Sequence, residues 1–328
     1  MIEMHDAIRI VMENTQTIDK ISVKLNDVLG CVLSEDVKSD IDMPPFDKAT
    51  MDGYALRGAD ITKASKESPA ILDVIEEIPA GTVPQKTVGG GQASRIMTGA
   101  PLPKGADTVI MVEDTEPVDG GQRVRVLDIT ETGMNIARLG EDVRVGKVVL
   151  EAGTAIRPLE VGILAAVGQV DVAVYRQPIV GVVATGSEVV EPQHKPEPGQ
   201  IRNSNAYSMV AQAIRAGAQT RYLGIVEDNA DALIRTIGGG LETCDIVALS
   251  GGVSAGDYDL VQDGMRELGV DVLFDRIRMK PGKPLTFGVK GKKQVFGLPG
   301  NPVSSVVGLE LLMRPAIRKM QGRADLHR

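Results

Sequence analysis

Between Leu249 and Ser305 three polar loops bounded by glycine interrupt apolar segments: S-G-G-V-S-A-G-D, K-P-G-K-P and L-P-G-N-P-V-S-S. Their residue types suit an anion. Glycine lets backbone N–H groups come close to a ligand, and a helix start adds the positive end of its dipole. In the first loop Ser250, Gly251, Gly252, Ser254 and Gly256 form a candidate set for a phosphate or oxyanion, through hydroxyls and main-chain donors. Asp257 or Asp259 could coordinate magnesium bridging that phosphate. A tight turn followed by Asp259 as an ordinary helix cap explains the same residues without a ligand. Lys280 and Lys283 stand on a proline-stiffened turn where two ammonium groups could neutralise a tetrahedral oxyanion, or simply be solvated beside a hairpin. Pro299 and Pro302 bracket the third loop, which serves equally as an anion-binding helix start and as a plain cap.

Other carboxylates fall at similar places. Glu188, in T-G-S-E-V, leaves the end of an apolar run and could bond a heterocycle or help hold a metal. Asp228 is a candidate active carboxylate and metal ligand, or a helix cap ahead of A-D-A-L. Far upstream, M-P-P-F-D-K-A-T-M-D-G-Y-A and M-T-G-A-P-L-P-K-G-A-D-T-V supply Asp52 and Thr98, and G-E-D supplies Glu141 and Asp142. These could meet an anionic substrate or satisfy their own turns.

The elements that must position these groups change character along the chain. Ala7, Ile8, Val11 and Met12 recur at helical spacing, so the chain opens with an amphipathic helix. From about 54 to 140, short β-rich runs separated by Gly, Pro and Asp read as a β-rich insertion in an N-terminal unit spanning 1–176. Pro158 suits the first turn of a helix. From 177 to 328 buried strands alternate with helices: P-I-V-G-V-V-A-T, the helix of S-N-A-Y-S-M-V-A-Q-A-I-R-A-G, T-R-Y-L-G-I-V, a helix from near Asp228, and D-I-V-A-L-S delivering Ser250. L-T-F-G-V-K-G-K-K-Q-V-F-G-L reads as a hairpin, and Pro302 to Met320 as a last helix that Asn301 caps and Pro315 bends or divides. The expectation is a multidomain α/β protein: a mixed N-terminal unit with the insertion, then a three-layer α/β domain.

Composition narrows the ligands. The 328 residues carry a net charge of −8, which argues against a general nucleic-acid or membrane-surface binder while leaving room for a local basic pocket. With no tryptophan and nine other aromatics, a base-stacking platform is not expected. Cys31 and Cys244 lie far apart in sequence and support neither a disulfide framework nor a thiolate metal site. No hydrophobic leader or bilayer-length apolar run is present, so the cytoplasm is the expected compartment.

The ordered blocks at 44–55, 97–109, 250–259 (S-G-G-V-S-A-G-D-Y-D), 280–284 and 297–304 (G-L-P-G-N-P-V-S) together resemble the molybdopterin molybdenumtransferase family, also called MoeA or gephyrin E-domain-like. The resemblance covers almost the whole chain. It implies a molybdopterin-binding α/β domain and magnesium-assisted insertion of molybdenum from molybdate into adenylylated molybdopterin, with release of AMP. A related pterin-binding or pterin-adenylylating enzyme, or a noncatalytic scaffold of the same fold, are the alternatives. Residue by residue it implies catalytic roles for Asp52, Thr98, Asp142, Glu188, Asp228, Asp259 and Lys280, and a pocket loop carrying Pro299 and Pro302 beside Lys283; with Asp257 from the glycine loop, Asp228 and Asp259 make the candidate metal set. Arg276 stands where another lysine is expected, keeping charge but changing hydrogen-bond geometry. The resemblance further implies a homodimer with an intersubunit active site, and contact with the pterin adenylylating enzyme. Typical members continue into a small C-terminal β domain, whereas this sequence stops at Arg328. A piece of a longer protein and a naturally short relative both fit that stop.

Overall fold

The computed structural model describes residues 1–252 and 260–326. Ser254, Gly256, Asp257 and Asp259, all candidates from the sequence, therefore lie outside the described residues. By its internal contacts the chain divides into two compact units, one formed by residues 1–37 with 150–328 and the other by residues 38–149.

In the larger unit a six-stranded sheet runs in the order Gln219–Val226, Ile179–Thr185, Ile246–Ser250, Lys293–Leu298, Pro284–Lys290, Asp271–Arg276. The first four strands are parallel, Pro284–Lys290 runs antiparallel to them, and Asp271–Arg276 pairs antiparallel with Pro284–Lys290. Alternation along each strand explains why helices cover both faces. Val180, Val182 and Ala184 point into one core with Ala206, Met209 and Ala213 of the Asn205–Arg215 helix. Val183, Val247 and Leu249 point into the opposite core with Leu233, Ile237 and Leu241 of the Ala230–Thr243 helix. The result is three layers.

The opening helix, Met4–Glu13, buries Ala7 and Val11 in the first of these cores. Its end is fixed by Gln294, whose amide donates to the Asn14 carbonyl and to Thr15 Oγ1 at 3.2 and 2.7 Å. Strands Lys20–Lys24 and Val32–Leu33 flank Asp171–Tyr175 in a small antiparallel sheet, so residues on both sides of the 38–149 segment belong to this unit. The last helix is divided, as Pro315 requires. Pro302–Gly308 and Arg314–Met320 are α-helical and are joined by a π-helical stretch, Leu309–Met313. Widening the helix there accommodates a ring that has no N–H and crowds the preceding turn.

The smaller unit is built on a six-stranded mixed sheet ordered Thr108–Met111, Gly53–Leu56, Gln92–Ile96, Ala70–Ile78, Arg123–Val126, Thr115–Val118. Tyr54, Leu56, Leu72, Ile110 and Val124 fill one core, and Ala55, Ile78, Ile96 and Val109 another. Gly53 has no room for a side chain because the Ile110 carbonyl occupies the place of its Cβ, and Asp52 is thereby held at a fixed strand start.

Candidate active site

Four parallel strands end at one edge of the larger unit's sheet, and each ending delivers a polar loop, the arrangement in which open α/β sheets bind ligands. Thr185 leads to Gly186 and Glu188, Val226 to Asp228, Ser250 to Gly251 and Gly252, and Leu298 to Pro299 through Pro302. The antiparallel strand that begins at Pro284 starts from the same edge, so the lysine turn also arrives there. A cavity of about 640 Å³ opens among these loops.

Of the residues singled out from sequence, Glu188, Asp228, Ser250, Gly251, Gly252, Pro299 and Pro302 all line this cavity. Gly282 and Pro284 of the lysine turn line it too, while Lys280 and Lys283 beside them are exposed and are not part of the lining. Glycine is required where the loops crowd. Gly251 has φ 95°, and a Cβ there would lie 2.8 Å from the Thr185 carbonyl oxygen. Asn301 accepts a hydrogen bond from the Ser304 amide at 3.2 Å and Pro302 takes the first turn, so the cap expected from sequence forms beside the cavity.

Asp228 is exposed and caps nothing. The helix after it is capped by Asn229, whose Oδ1 accepts from the Ala232 amide at 3.0 Å. The Asp228 amide donates to Ser187 Oγ at 3.4 Å, and the Gly186 amide to the Val226 carbonyl at 3.1 Å, so the exits carrying Glu188 and Asp228 are tied together. Two oxygen donors on adjacent loops suit a hard cation. No group of three or more His, Cys, Asp or Glu able to hold a metal exists among the described residues.

Sequence reasoning passed over several cavity residues. Arg202 lines the cavity as its one cation among the described residues, with Nε donating to the His194 carbonyl at 3.1 Å. Asn205 joins two of the glycine loops, donating to Ser250 Oγ at 2.8 Å and to the Gly300 carbonyl at 2.7 Å. Asn203, buried in the wall, donates to Tyr222 Oη at 2.8 Å. Tyr222 and Tyr207 both donate to Glu191, at 2.6 and 3.0 Å. Burial and then the Glu191 carboxylate push the Tyr222 phenol above its ordinary range, so it stays a donor and braces this wall. The run I-R-N-S-N was the available signal, because four polar side chains at a strand-to-helix junction exceed what one cap needs.

In the smaller unit Asp52 and Thr98 form a pair. Thr98 donates both its hydroxyl and its amide to Asp52 Oδ1 at 2.7 Å, and these bonds, the hydroxyl's first, hold the carboxyl below its usual range. Asp142 is placed differently: its amide donates to the Met43 carbonyl at 3.0 Å, and among the described residues no bond joins it to Asp52 or Thr98.

Residues 2–168 match the family model described as the MoeA N-terminal region (domain I and II), and residues 181–319 match the probable molybdopterin binding domain. A molybdopterin molybdenumtransferase of Bacillus subtilis is 41% identical over 298 residues, 90% of this chain and 69% of that relative. The chain belongs to the molybdopterin molybdenumtransferase family. Another member, from Staphylococcus aureus, is 36% identical over 99% of this chain and 77% of its own length. A crystal structure of a molybdopterin biosynthesis MoeA protein from Pyrococcus horikoshii superposes with a TM-score of 0.86 at 34% identity, covering 99% of this chain and 81% of that one. The multidomain α/β architecture expected from the motif blocks is thus that of the molybdenumtransferase family. Among the described residues no helix is long and apolar enough to cross a membrane.

Proposed function

We propose that this chain is an enzyme of molybdenum cofactor biosynthesis that inserts molybdenum from molybdate into adenylylated molybdopterin and releases AMP. The observation that carries this reading is the cavity itself. Three glycine-bearing strand exits and a helix start converge on about 640 Å³, the form of site that binds a phosphorylated ligand through main-chain donors. Family membership through both matched regions supports it, and the match over residues 2–168 disfavours a stand-alone adenylylating enzyme.

In this reading Ser250, Gly251 and Gly252 hold phosphate oxygens, joined by Ser254 and Gly256. Pro299 and Pro302 shape the facing loop. Lys280 and Lys283, exposed and beside the cavity, stabilise the charge that builds on departing AMP and on incoming molybdate. Glu188 and Asp228 fit Mg2+, which needs only one or two carboxylates when phosphate and water complete its shell; Asp257 and Asp259 would extend the set. Bound there, the ion would polarise the phosphoanhydride. Asp52, Thr98 and Asp142 act from the N-terminal part, 1–176, which meets the 177–328 domain of a partner copy in a homodimer. The cytoplasm is the proposed compartment, and the pterin adenylylating enzyme the proposed supplier of substrate by direct contact.

Purified protein incubated with adenylylated molybdopterin, Mg2+ and molybdate tests the activity. AMP release together with active cofactor is expected. Tight ligand binding without either product overturns the assignment.

A further inference from the structure

The Asn205 amide makes two bonds that no other side chain among the described residues of the cavity duplicates. Strands Ile246–Ser250 and Lys293–Leu298 are neighbours, and main-chain pairing between them carries on to a bond from the Gly251 amide to the Leu298 carbonyl at 3.0 Å. Past that point the two chains become the S-G-G and P-G-N-P loops. They remain close: a Cβ on Gly300 would sit 3.7 Å from the Gly251 Cα. Asn205, first residue of the Asn205–Arg215 helix, spans them with one N–H to Ser250 Oγ and one to the Gly300 carbonyl. A carbonyl accepts only, so the nitrogen of the amide must face Gly300, and Oδ1 is left for another donor. Ser250 is 4% exposed, so the bond to it is shielded from water.

Building on the function proposed above, we propose that Asn205 is a positioning residue. It continues the strand pairing beyond its last main-chain bond and sets the spacing of the two glycine loops that grip the phosphates of the adenylylated substrate. Asn205 lines the cavity, and its Oδ1, which accepts no bond among the described residues, serves as an acceptor for an N–H or O–H of that ligand.

Asn205→Ala tests this. A loop displaced by an ångström can cost up to ~100-fold in rate, so kcat for AMP release should fall roughly 10- to 100-fold, with a smaller change in KM. Asn205→Asp keeps the size but sets a carboxylate oxygen against the Gly300 carbonyl, and should fall at least as far. Ser250→Ala combined with Asn205→Ala should lose less than the product of the two single losses, since both remove the same bond. A residue that only starts a helix would lower the melting temperature, leave kcat of the folded fraction unchanged and combine with Ser250→Ala independently; either result overturns the proposal. If the wild-type chain releases no AMP, the activity reading fails by itself, and calorimetry with AMP still decides this one. Weaker AMP binding by Asn205→Ala supports it, and equal binding, or none by the wild type, overturns it.

Discussion

The two edges of the parallel sheet carry cavities of similar size and opposite character. At the carboxyl edge about 640 Å³ is lined by Glu188, Asp228 and Arg202 among glycine loops. At the amino edge about 500 Å³ is lined by Arg176, Asp245, Lys293, Cys31 and Cys244, together with Ile21 and Leu29. There Arg176, Asp245 and Lys293 are spent on the fold, while the carboxylates of Asp27 and Glu242 stand exposed in the lining. Arg176 makes two bonds of 2.7 Å to Asp245, which also accepts from the Ile179 amide at 2.7 Å. Lys293 donates to the Leu241, Glu242 and Cys244 carbonyls, closing the end of the Ala230–Thr243 helix. Burial pushes the Cys31 thiol up, away from the thiolate a nucleophile requires. Cavity volume alone does not mark a ligand site. What separates the edges is that Asp245 is held by Arg176 and the Ile179 amide, whereas the Glu188 and Asp228 carboxylates accept no hydrogen bond among the described residues.

The sharpest way to break this comparison is to neutralise one charge at each edge. Asp228→Asn should reduce AMP release by roughly 100- to 1000-fold, the scale seen when a preorganised electrostatic group is lost. The melting temperature should hardly move, since Asp228 is exposed and caps no helix. Steady-state kinetics beside a thermal melt checks both halves, and retained turnover would remove Asp228 from the reaction.

Asp245→Ala should do the reverse. It strands Arg176, whose side chain is 30% exposed, and unties the start of the Ile179–Thr185 strand. A cost of about 2–4 kcal/mol follows from losing charged hydrogen bonds in a partly buried pair. Urea titration should show that loss while kcat per folded molecule stays level. A drop in kcat without a stability change would mean the amino edge takes part in the reaction.

Gly251→Ala tests the place where the two demands meet. At φ 95° an alanine is strained, and its Cβ would press on the Thr185 carbonyl oxygen at 2.8 Å. About 1–2 kcal/mol of stability should be lost. Turnover should fall with it, because the loop that yields also lines the cavity. Loss of stability with full turnover would show that the loop's shape does not matter to substrate.

Much of this contrast could be read in the sequence, and the part that could not has a physical reason. Apolar runs such as I-V-G-V-V-A-T ending in polar glycine loops mark buried parallel strands with ligand-facing exits, so the fold class and the cavity loops were legible. The Asn301 cap was legible because a cap is local. Between Asp228 and Asn229, neighbours with equal capping ability, sequence had no basis to choose; only the chain's path puts Asn229 under the Ala232 amide. Asn205 was missed because its partners lie 45 and 95 residues away. The pairing of Arg176 with Asp245, 69 residues apart, was hidden for the same reason. Distance along the chain conceals which charges are already satisfied, and that is the property in which Asp245 at one edge differs from Asp228 at the other.

Asp52 is an intermediate case, exposed like Asp228 yet bonded like Asp245, and it yields the smallest expected effect. Its folded carboxyl is depressed, so the stability it contributes is present above the unfolded carboxylate value of about 3.9 and is lost as pH falls through the folded one. Thr98→Val removes the hydroxyl, the larger of the two causes, and leaves the 2.7 Å amide bond in place. The Asp52 midpoint, followed by carboxyl NMR, should therefore move up toward the ordinary range without reaching it, and acid loss of that contribution should begin at a higher pH. Both midpoints lie in the acid range, so the pH profile of AMP release near neutrality should keep its shape in the variant even if its height drops. An unmoved Asp52 midpoint would mean that the amide alone holds the carboxylate. The hydroxyl would then be free to serve a ligand, placing Thr98 with the unspent groups of the carboxyl edge rather than with the structural pairs.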